Sequence, residues 1–339
     1  MYNEFFELQR APFNLTPDPE FLYLTAQHRE ALAGLTYAIL ARKGFVVLTG
    51  NAGTGKTTLL TRILEHLPVS RIQSSVIVNP TLTPAEFLEA ALLDFGFRDI
   101  PQSKAQRIAI LQSFLWKEHR EGKISALIVD EAHKLSLELL EEIRLLGNFE
   151  SASEKLLQIV LVGQSELDEL LNRENLRQLK QRISLRLAIE PIAGAEIEQY
   201  IQFRWMKAGG KQAPFSREAI AAIGQASRGI PRVINVLCDN ALIQAFGEAS
   251  PTVEVRYVLA VCRELQFADP LPKSADPADA PIAKPAVAAP TVNAPSRDAL
   301  SLETFPMKTL VRYETVAARP SLLARLAGKL RFAQRTETA

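Results

Sequence analysis

Residues 45–67, FVVLTGNAGTGKTTLLTRILEHL, contain the pattern that decides the fold. The apolar run at residues 45–49 has the length of a buried strand, and residues 57–67 have the apolar spacing of a helix. The loop between them has the form GxxxxGK[ST], and its position between a strand and a helix makes the match specific. This stretch therefore predicts a phosphate-binding loop.

The loop contributes nine candidate nucleotide-binding residues. Its glycines allow the backbone to curl with N–H groups inward, and the N-terminus of the following helix adds positive potential. We expect Lys56 to reach the β- and γ-phosphates of ATP, and Thr57 to hold Mg²⁺. The nine residues are Gly50, Asn51, Ala52, Gly53, Thr54, Gly55, Lys56, Thr57 and Thr58.

A second apolar run, SALIV at residues 125–129, leads directly into Asp130 and Glu131. Carboxylates at the end of a buried strand need compensation, because burial of an uncompensated charge is costly. We expect Asp130 to order the Mg²⁺ shell and Glu131 to polarise the attacking water. The letters DEAH also occur in helicases, but residues 194–339 contain no second strand-helix alternation, so His133 alone does not support that interpretation.

Three further polar residues occur where a nucleotide site would use them. Gln164 follows the apolar run at residues 158–162, where it would read the γ-phosphate or position water. Arg182 precedes the last apolar run and is a candidate arginine finger for a neighbouring subunit, with Arg177 as the alternate. Arg232 opens a later helix and would swing onto the phosphates. An ordinary surface or capping role is the alternative for each.

Apolar runs of strand length alternate with helical patterns as far as residue 193. This alternation is typical of an α/β fold with a parallel sheet and helices on both faces. The predicted strands are residues 45–49, 75–78, 125–129, 158–162 and 185–189, and the helices between them are residues 57–67, 84–95, 106–121 and 137–149. Helical patterns at residues 195–208, 216–226, 231–246 and 254–265 then predict a small all-helical lid.

Proline marks where the folded body ends. Residues 268–295 hold 7 of the 20 prolines and 9 alanines, with no glycine or aromatic residue, so this stretch cannot pack a core. The predicted division is an N-terminal segment with the first helix (1–43), an α/β nucleotide-binding domain (44–193), the lid (194–267), a Pro/Ala-rich linker (268–318) and a basic amphipathic tail (319–339). Linker and tail together are expected to be disordered.

The tail has a basic, amphipathic pattern. Residues 319–335 carry five Lys or Arg and no acidic residue. On a helix, Leu322, Leu323, Leu326 and Leu330 fall within an arc of about 100°. Such a segment suits an anionic membrane surface or a partner helix, and a solvated, partly helical tail is the alternative.

Composition and charge exclude several classes of protein. A hydrophobic content of 47% and a charged content of 23% are ordinary for a globular protein. The net charge of +1 gives no global reason to expect nucleic acid as a partner.

No secretory leader opens the chain, and no apolar run has membrane-spanning length, so a cytoplasmic location is expected. Cys238 and Cys262 lie far apart, which predicts buried, reduced thiols and no metal site.

The N-terminal segment is rich in aromatic residues. Residues 23–29 lead into the first helix and are expected to pass near the adenine, whose flat apolar face suits aromatic and aliphatic contact. Phe5, Phe6, Phe13 and Phe21 are interpreted as a hydrophobic strap that packs on the sheet.

Several segments together carry a family resemblance. The order GNAGTGKTT, LIVDEAH, LVGQSEL, QRI and GIPR resembles an AAA+ ATPase of the additional-strand class. The opening FFELQRAPFNLTPDPEFLYLTAQHREAL and the runs ELLEEIRLLGNFE and LLQIVLVGQSELDELL are similar to the ExeA type, the general secretion pathway protein A ATPases. Related branches serve pilus, exopolysaccharide and transposition (TniB-like) systems. The resemblance covers about residues 1–265.

The resemblance implies a Mg²⁺-dependent ATPase that assembles or remodels a secretion, pilus or exopolysaccharide export system. It implies Gln164 as first sensor, Arg232 as second sensor, and Asn79 as the residue that restrains the catalytic Glu131. ExeA itself continues into a transmembrane segment and a peptidoglycan-binding domain, and residues 1–339 show neither pattern.

The expected partners follow from the same resemblance. They are ATP, further copies of the chain with nucleotide at subunit interfaces, and a secretion or envelope-assembly protein. Peripheral contact with the inner membrane through the tail is a further expectation. The alternative is a nucleotide-switched DNA-binding accessory ATPase of the TniB-like kind, against which the near-neutral charge argues.

Overall fold

The computed structural model describes residues 2–66, 71–78 and 80–267. Within these ranges a five-stranded sheet with helices on both faces is followed by a helical lid, which confirms the predicted fold class. Asn79 and the linker and tail predicted at residues 268–339 lie outside the described residues.

Strands and helices alternate close to the predicted bounds. The strands are β1 (Phe45–Gly50), β2 (Ile72–Ile77), β3 (Ile124–Val129), β4 (Leu157–Val162) and β5 (Ile183–Ile189). The helices up to β5 are α1 (Tyr2–Phe5), α2 (Ala26–Leu40), α3 (Lys56–His66), α4 (Pro84–Phe95), α5 (Lys104–Arg120), α6 (Leu137–Leu146), α7 (Glu166–Leu171) and α8 (Arg177–Lys180). The lid consists of α9 (Ile197–Lys207), α10 (Arg217–Ser227), α11 (Pro231–Gly247) and α12 (Val255–Glu264).

The strands are parallel and lie in the order β2-β3-β4-β1-β5. The additional strand β4 therefore separates β1, which carries the phosphate loop, from the acidic strand β3. Leu48 of β1 pairs with Val162 of β4, and Val129 of β3 pairs with Leu161, so the three strands end nearly level. The residues that follow these strands consequently meet at one edge of the sheet.

Side chains of the central strands point alternately into two apolar layers, as the pleat of a strand requires. On one face Val47, Leu127 and Ile159 pack with α4, α5 and α6. On the other face Val46 and Val160 pack with α2 and α3. Because both faces are covered, these strands read as continuous apolar runs in the sequence.

The two outer strands begin earlier than predicted. β2 starts at Ile72 and includes the polar Gln73, and β5 starts at Ile183 and exposes Arg186. An edge strand has a partner on one side only and accommodates polar residues there. An apolar-run criterion therefore misses the first part of each.

The N-terminal strap packs on the lid, so the prediction that it packs on the sheet is wrong. The ring contacts are Phe5–Phe246, Phe6–Trp205 and Phe13–Phe215, with centroids 5.6, 5.9 and 5.9 Å apart. Phe21 belongs to the same apolar cluster. The physical reason is that α2 to α8 already cover the sheet, which leaves the lid as the apolar surface that needs a cover.

Arg204 of α9 holds the strap in place. Its guanidinium donates to the carbonyl oxygens of Pro12, Phe21 and Asn14 at 2.7, 3.3 and 3.4 Å. The same group lies 5.0 Å from the ring centre of Phe21, a cation–π contact. A buried arginine needs partners for its donors, and the backbone of the strap supplies them.

Two predictions outside the site can be compared with the described residues. Cys238 and Cys262 are buried and reduced, as predicted, and burial raises the pKa of the Cys238 thiol. None of the helices within the described ranges combines the length and apolar character needed to cross a bilayer.

Candidate nucleotide-binding site

The phosphate loop curls between β1 and α3, and Lys56 folds back onto it. The Lys56 ammonium donates to the carbonyl oxygens of Gly50 at 2.7 Å and Asn51 at 2.8 Å. Burial lowers the pKa of Lys56, an effect that the nearby carboxylates of Asp130 and Glu131 oppose. Lys56 is thus a desolvated cation held by neutral acceptors, which an anion can replace.

Gly53 is a point of close approach between the phosphate loop and the lid. Its φ of 79° is left-handed, a conformation that glycine adopts at no steric cost. A Cβ atom at this position would lie 2.8 Å from the Cβ of Arg232. The backbone N–H of Arg232 also donates to the Gly53 carbonyl at 3.3 Å. The first turn of α11 therefore rests on the loop.

The acidic strand brings a buried carboxylate to the loop. Asp130 accepts a hydrogen bond from the Thr57 hydroxyl at 2.8 Å and another from the Glu131 N–H at 2.9 Å. Asp130 is only 5% exposed, and burial raises its pKa against the opposing effect of these hydrogen bonds. A carboxylate beside a hydroxyl is an oxygen donor set that suits Mg²⁺.

Glu131 has an unusual backbone and a tethered side chain. Its φ of 56° is left-handed, which costs a residue with a side chain about 1–2 kcal/mol. Its carboxylate lies 3.0 Å from the Lys134 ammonium and 3.6 Å from Nε2 of His133. The side chain is 34% exposed and lines the cavity described below.

Gln164 follows β4 and contacts His133. Its backbone N–H donates to Nδ1 of His133 at 3.3 Å, and its amide nitrogen lies 3.3 Å from Nε2 of the same ring. Gln164 is half-buried and lines the cavity. The imidazole of His133 therefore lies between Gln164 and Glu131.

A cavity of about 390 Å³ lies over the phosphate loop, a volume suited to a small-molecule ligand. The predicted site residues that line it are Ala52, Gly53, Thr54, Gly55, Lys56, Thr57, Thr58, Glu131, Gln164 and Arg232. The strap contributes residues 14–18, and the lid contributes Tyr200, Arg204 and Asn235. Tyr23 and His28 also line the cavity, in the segment expected near the adenine, and that contact stays a prediction.

His28 connects α2 to the phosphate loop. Its Nε2 lies 3.1 Å from the Thr54 carbonyl oxygen, and its Nδ1 lies 2.7 Å from the Thr25 hydroxyl. Because a carbonyl only accepts, Nε2 carries the proton and Nδ1 accepts from Thr25. Burial lowers the pKa of His28, with smaller opposing effects from Thr54 and Glu196. A neutral histidine therefore holds the loop.

The two candidate arginine fingers lie outside the cavity of their own chain. Arg182 precedes the edge strand β5, and its guanidinium donates to the Arg144 carbonyl at 2.9 Å. Arg177 is exposed in α8. Neither is among the described residues that line the cavity. The role of either residue toward a neighbouring subunit stays a prediction.

The residues present fit a nucleotide phosphate and Mg²⁺. Burial disfavours the charged form of both Lys56 and Asp130. An anion bound at Lys56 and a cation bound beside Asp130 and Thr57 would each compensate that desolvation. The donors and acceptors around the cavity are therefore matched to a metal–phosphate pair.

A phosphate loop at the end of a parallel strand, an additional strand beside it and a helical lid define the AAA+ class of P-loop ATPases. The AAA domain family matches residues 39–171. The chain therefore contains an AAA domain, and its fold is that of an AAA+ P-loop NTPase.

Within this class, the chain is similar to general secretion pathway protein A of Aeromonas hydrophila, with 40% identity over 255 residues. The match covers 74% of this chain and 46% of that protein, so the chain spans about half the length of this relative. It is also similar to the ATP-dependent target DNA activator B of Escherichia phage Mu, with 27% identity over 260 residues. That match covers 74% of this chain and 75% of the phage protein.

Solved structures share the fold. The Aeropyrum pernix ORC2 protein aligns with a TM-score of 0.59 and 17% identity, covering 77% of this chain and 72% of that chain. Drosophila ORC bound to DNA aligns with a TM-score of 0.55 and 18% identity, covering 76% and 67% respectively. At this level of identity the likeness concerns the fold alone.

Three residues near the cavity were not singled out from the sequence. His28 and His133 are isolated histidines, and a lone histidine carries no signal until its partners are known. Arg204 resembles any other charged residue of an amphipathic helix. A basic residue on the apolar side of a helical pattern, as Arg204 is, was the one signal that could have indicated a buried role.

We expect the stability of the His28→Gln variant to depend less on acidic pH than the stability of the wild type. In the unfolded chain the imidazole has its ordinary pKa of 6.5, whereas burial lowers the pKa in the folded chain. Between these two values the unfolded state binds more protons, so stability falls as the pH falls below 6.5. Urea midpoints measured from about pH 8 to about pH 5 should therefore drop more for the wild type than for His28→Gln.

His119→Gln is the matched control. It removes a histidine from α5, near the amino ends of the strands and away from the phosphate loop. This control should keep the steeper acid response of the wild type. Equal slopes for the wild type and His28→Gln would contradict the assignment of a buried, neutral His28.

Proposed function

We propose that the chain binds ATP with Mg²⁺, hydrolyses it, and uses the hydrolysis to assemble or remodel an export system of the cell envelope. The observation that carries the chemical part is the convergence of Lys56, the Thr57–Asp130 pair, Glu131 and Gln164 around one cavity. In-line phosphoryl transfer requires a cation at the phosphates, a metal site and a group that polarises water. This set contains a candidate for each requirement.

Lys56 is the proposed phosphate ligand. Its ammonium would exchange the neutral carbonyls of Gly50 and Asn51 for phosphate oxygens. An anionic oxygen attracts the ammonium more strongly than a neutral carbonyl does, above all in a site that is shielded from water. Phosphate binding would therefore relieve the desolvation that lowers the pKa of Lys56.

Thr57 and Asp130 are the proposed residues for Mg²⁺. Their mutual hydrogen bond of 2.8 Å holds the two oxygens together at the end of β3. When bound there, Mg²⁺ would supply neutralisation of the charge that develops on the phosphate oxygens. Glu131 would polarise the attacking water, and Gln164 would contact the γ-phosphate.

The proposed enzyme works as a homo-oligomer with nucleotide at its subunit interfaces. Arg232 would contact the phosphates from the lid of the same chain, since its backbone already rests on Gly53. Arg182 would reach the nucleotide of the neighbouring subunit, since it lies away from its own cavity. Hydrolysis would then depend on contact between subunits.

The export role is supported by the 40% identity to general secretion pathway protein A. Under this proposal the chain acts on the cytoplasmic side of the inner membrane, where ATP is supplied, on a secretion or envelope-assembly protein. The basic pattern at residues 319–335 provides a candidate contact with the membrane or with that partner.

A second candidate function is nucleotide-switched DNA binding. The similarity to the phage Mu protein, whose name describes an ATP-dependent target DNA activator, favours it. The net charge of +1 argues against it, because non-specific DNA binding depends on basic groups.

We expect Glu131→Gln to separate ATP binding from hydrolysis. The substitution keeps the size of the side chain but removes the group that polarises water, so kcat should fall by roughly 10²- to 10⁴-fold while ATP still binds. Lys56→Ala should weaken both, because it removes the phosphate ligand. Phosphate release and equilibrium binding of a fluorescent ATP analogue measure the two effects. Glu138→Gln, an exposed substitution on α6, is the control, and equal turnover by wild type and Glu131→Gln would refute the proposal.

We expect subunit mixing to identify the arginine finger. A Glu131→Gln subunit keeps its finger, and an Arg182→Ala subunit keeps its own hydrolytic residues, so mixed oligomers contain interfaces with both. Each variant alone should be inactive, and the mixture should regain a measurable fraction of wild-type phosphate release. Arg177→Ala is the matched control and should stay active alone. An Arg177→Ala variant that is inactive alone and recovers on mixing, together with an Arg182→Ala variant that is active alone, would transfer the role to Arg177.

The two candidate functions differ in their response to DNA and in cells. For the export role we expect no retention of duplex DNA by the ATP-loaded protein in low-salt filter binding. We also expect loss of one envelope export system when Glu131→Gln replaces the wild-type chain in its host. Salt-sensitive DNA retention with normal export would favour the second candidate.

A further inference from the structure

His133 contacts two predicted catalytic groups that come from different strands. The N–H of Gln164, after β4, donates to Nδ1 of His133 at 3.3 Å. On the other side of the ring, the Glu131 carboxylate, after β3, lies 3.6 Å from Nε2. The His133 side chain is only 11% exposed, so few water molecules can compete for these contacts.

The contacts determine which ring nitrogen carries the proton. A backbone N–H is a donor, so Nδ1 of His133 must accept, and the proton of the neutral ring is on Nε2. The amide group of Gln164 lies 3.3 Å from this Nε2. In this orientation two donors face each other, because an amide nitrogen cannot accept, so Gln164 offers the Nε2–H an acceptor only when the amide turns its oxygen to the ring.

One N–H group of His133 therefore has two competing acceptors. They are the carboxylate of Glu131, which at 3.6 Å lies beyond the length of a strong hydrogen bond, and the amide oxygen of Gln164 once the amide has turned. A single N–H makes one strong hydrogen bond, so a stronger bond to one acceptor weakens the bond to the other. The orientation of the Gln164 amide thus controls how firmly His133 holds Glu131.

We propose that His133 is a positioning residue that couples the Glu131 carboxylate to the phosphate contact of Gln164. This inference rests on the proposed ATP hydrolysis. When the amide NH₂ of Gln164 donates to a terminal phosphate oxygen, its carbonyl oxygen turns to the Nε2–H of His133. That N–H leaves Glu131, and the carboxylate is released toward the water that it polarises.

The surroundings of Glu131 suit such a release. Its remaining tether is the Lys134 ammonium at 3.0 Å, and Lys134 is half exposed. An exposed ion pair contributes little, because water competes for both charges. Its backbone φ of 56° is also unfavourable for a glutamate, so the tethered position is not a deep minimum. Loss of the His133 contact would therefore leave the carboxylate held by this exposed ion pair alone.

Two substitutions separate coupling from simple packing. In His133→Asn the side-chain oxygen stands in for Nδ1 and can still accept from the Gln164 N–H, but nothing reaches the position of Nε2. In His133→Gln the longer amide reaches the position of Nε2 and can donate there. His119→Asn on α5 is the matched control, since it makes the same change far from the cavity.

We expect His133→Asn to lower kcat for ATP roughly tenfold, with the dissociation constant for ATP within about twofold of wild type. His133→Gln should recover much of the loss, and His119→Asn should behave as wild type. Gln164→Ala should cost less in the His133→Asn background than in the wild type, because the link to Glu131 is already broken there. Effects that simply multiply, or a kcat of His133→Asn equal to that of wild type, would overturn the proposal.

A spectroscopic measurement tests the proposal on the wild-type chain, whatever the stability of the variants. The chain has four histidines, so ¹⁵N-imidazole labelling gives few signals. The signal that is absent in His133→Gln should keep an unprotonated Nδ1 and should shift at Nε2–H when Mg²⁺ and a non-hydrolysable ATP analogue are added. An unchanged signal would overturn the coupling. Failure of the proposed function is separate, because wild-type turnover would then equal that of Glu131→Gln.

Discussion

The hydrogen bond between Thr57 and Asp130 is the contact on which the rest of the site depends. It joins the helix after β1 to the end of β3, two strands that are not neighbours. It forms because the pairing of Leu48 with Val162 and of Val129 with Leu161 brings the strand ends level. A slip of one strand by one residue would move its apolar side chains to the opposite face. The packing of two apolar layers therefore fixes the distance between the phosphate loop and its acidic partner.

Local chemistry could be predicted from the sequence, and contacts between distant segments could not. The phosphate loop and the Asp130–Glu131 pair can each be recognised from a few consecutive residues. The structure brings Thr57 and Asp130 into direct contact. The aromatic pattern around Phe13 predicts that the side chain is buried, but it does not distinguish the sheet from the lid as the surface that buries it. The contacts of His28 and His133 depend on backbone atoms of other segments. Because the backbone groups do not differ between residue types, the sequence does not indicate which of them a histidine contacts.

The phosphate loop, the strap and the lid all line the cavity, and hydrogen bonds connect them. Arg204 attaches the strap to the lid through three carbonyl oxygens, and the N–H of Arg232 attaches the lid to Gly53 of the phosphate loop. A rotation of the lid that separates Arg232 from Gly53 must also carry the strap residues that form the cavity wall. A nucleotide bound in this cavity would therefore contact the lid and the strap together, so a partner that changes the position of the lid would also change the affinity for that nucleotide.

The residues that would bind ATP and Mg²⁺ are held by buried hydrogen bonds, whereas Glu131, which would polarise water, is held weakly. Thr57 and Asp130 are held by a buried hydrogen bond, and His28 holds the loop carbonyl of Thr54 from the other side. Glu131, in contrast, combines a left-handed backbone that costs about 1–2 kcal/mol with an ion pair to an exposed lysine worth about 1 kcal/mol or less. The Glu131 carboxylate is therefore held less firmly than the Thr57–Asp130 pair. An enzyme with this balance would keep ATP bound while its rate of hydrolysis responds to a neighbouring subunit or partner.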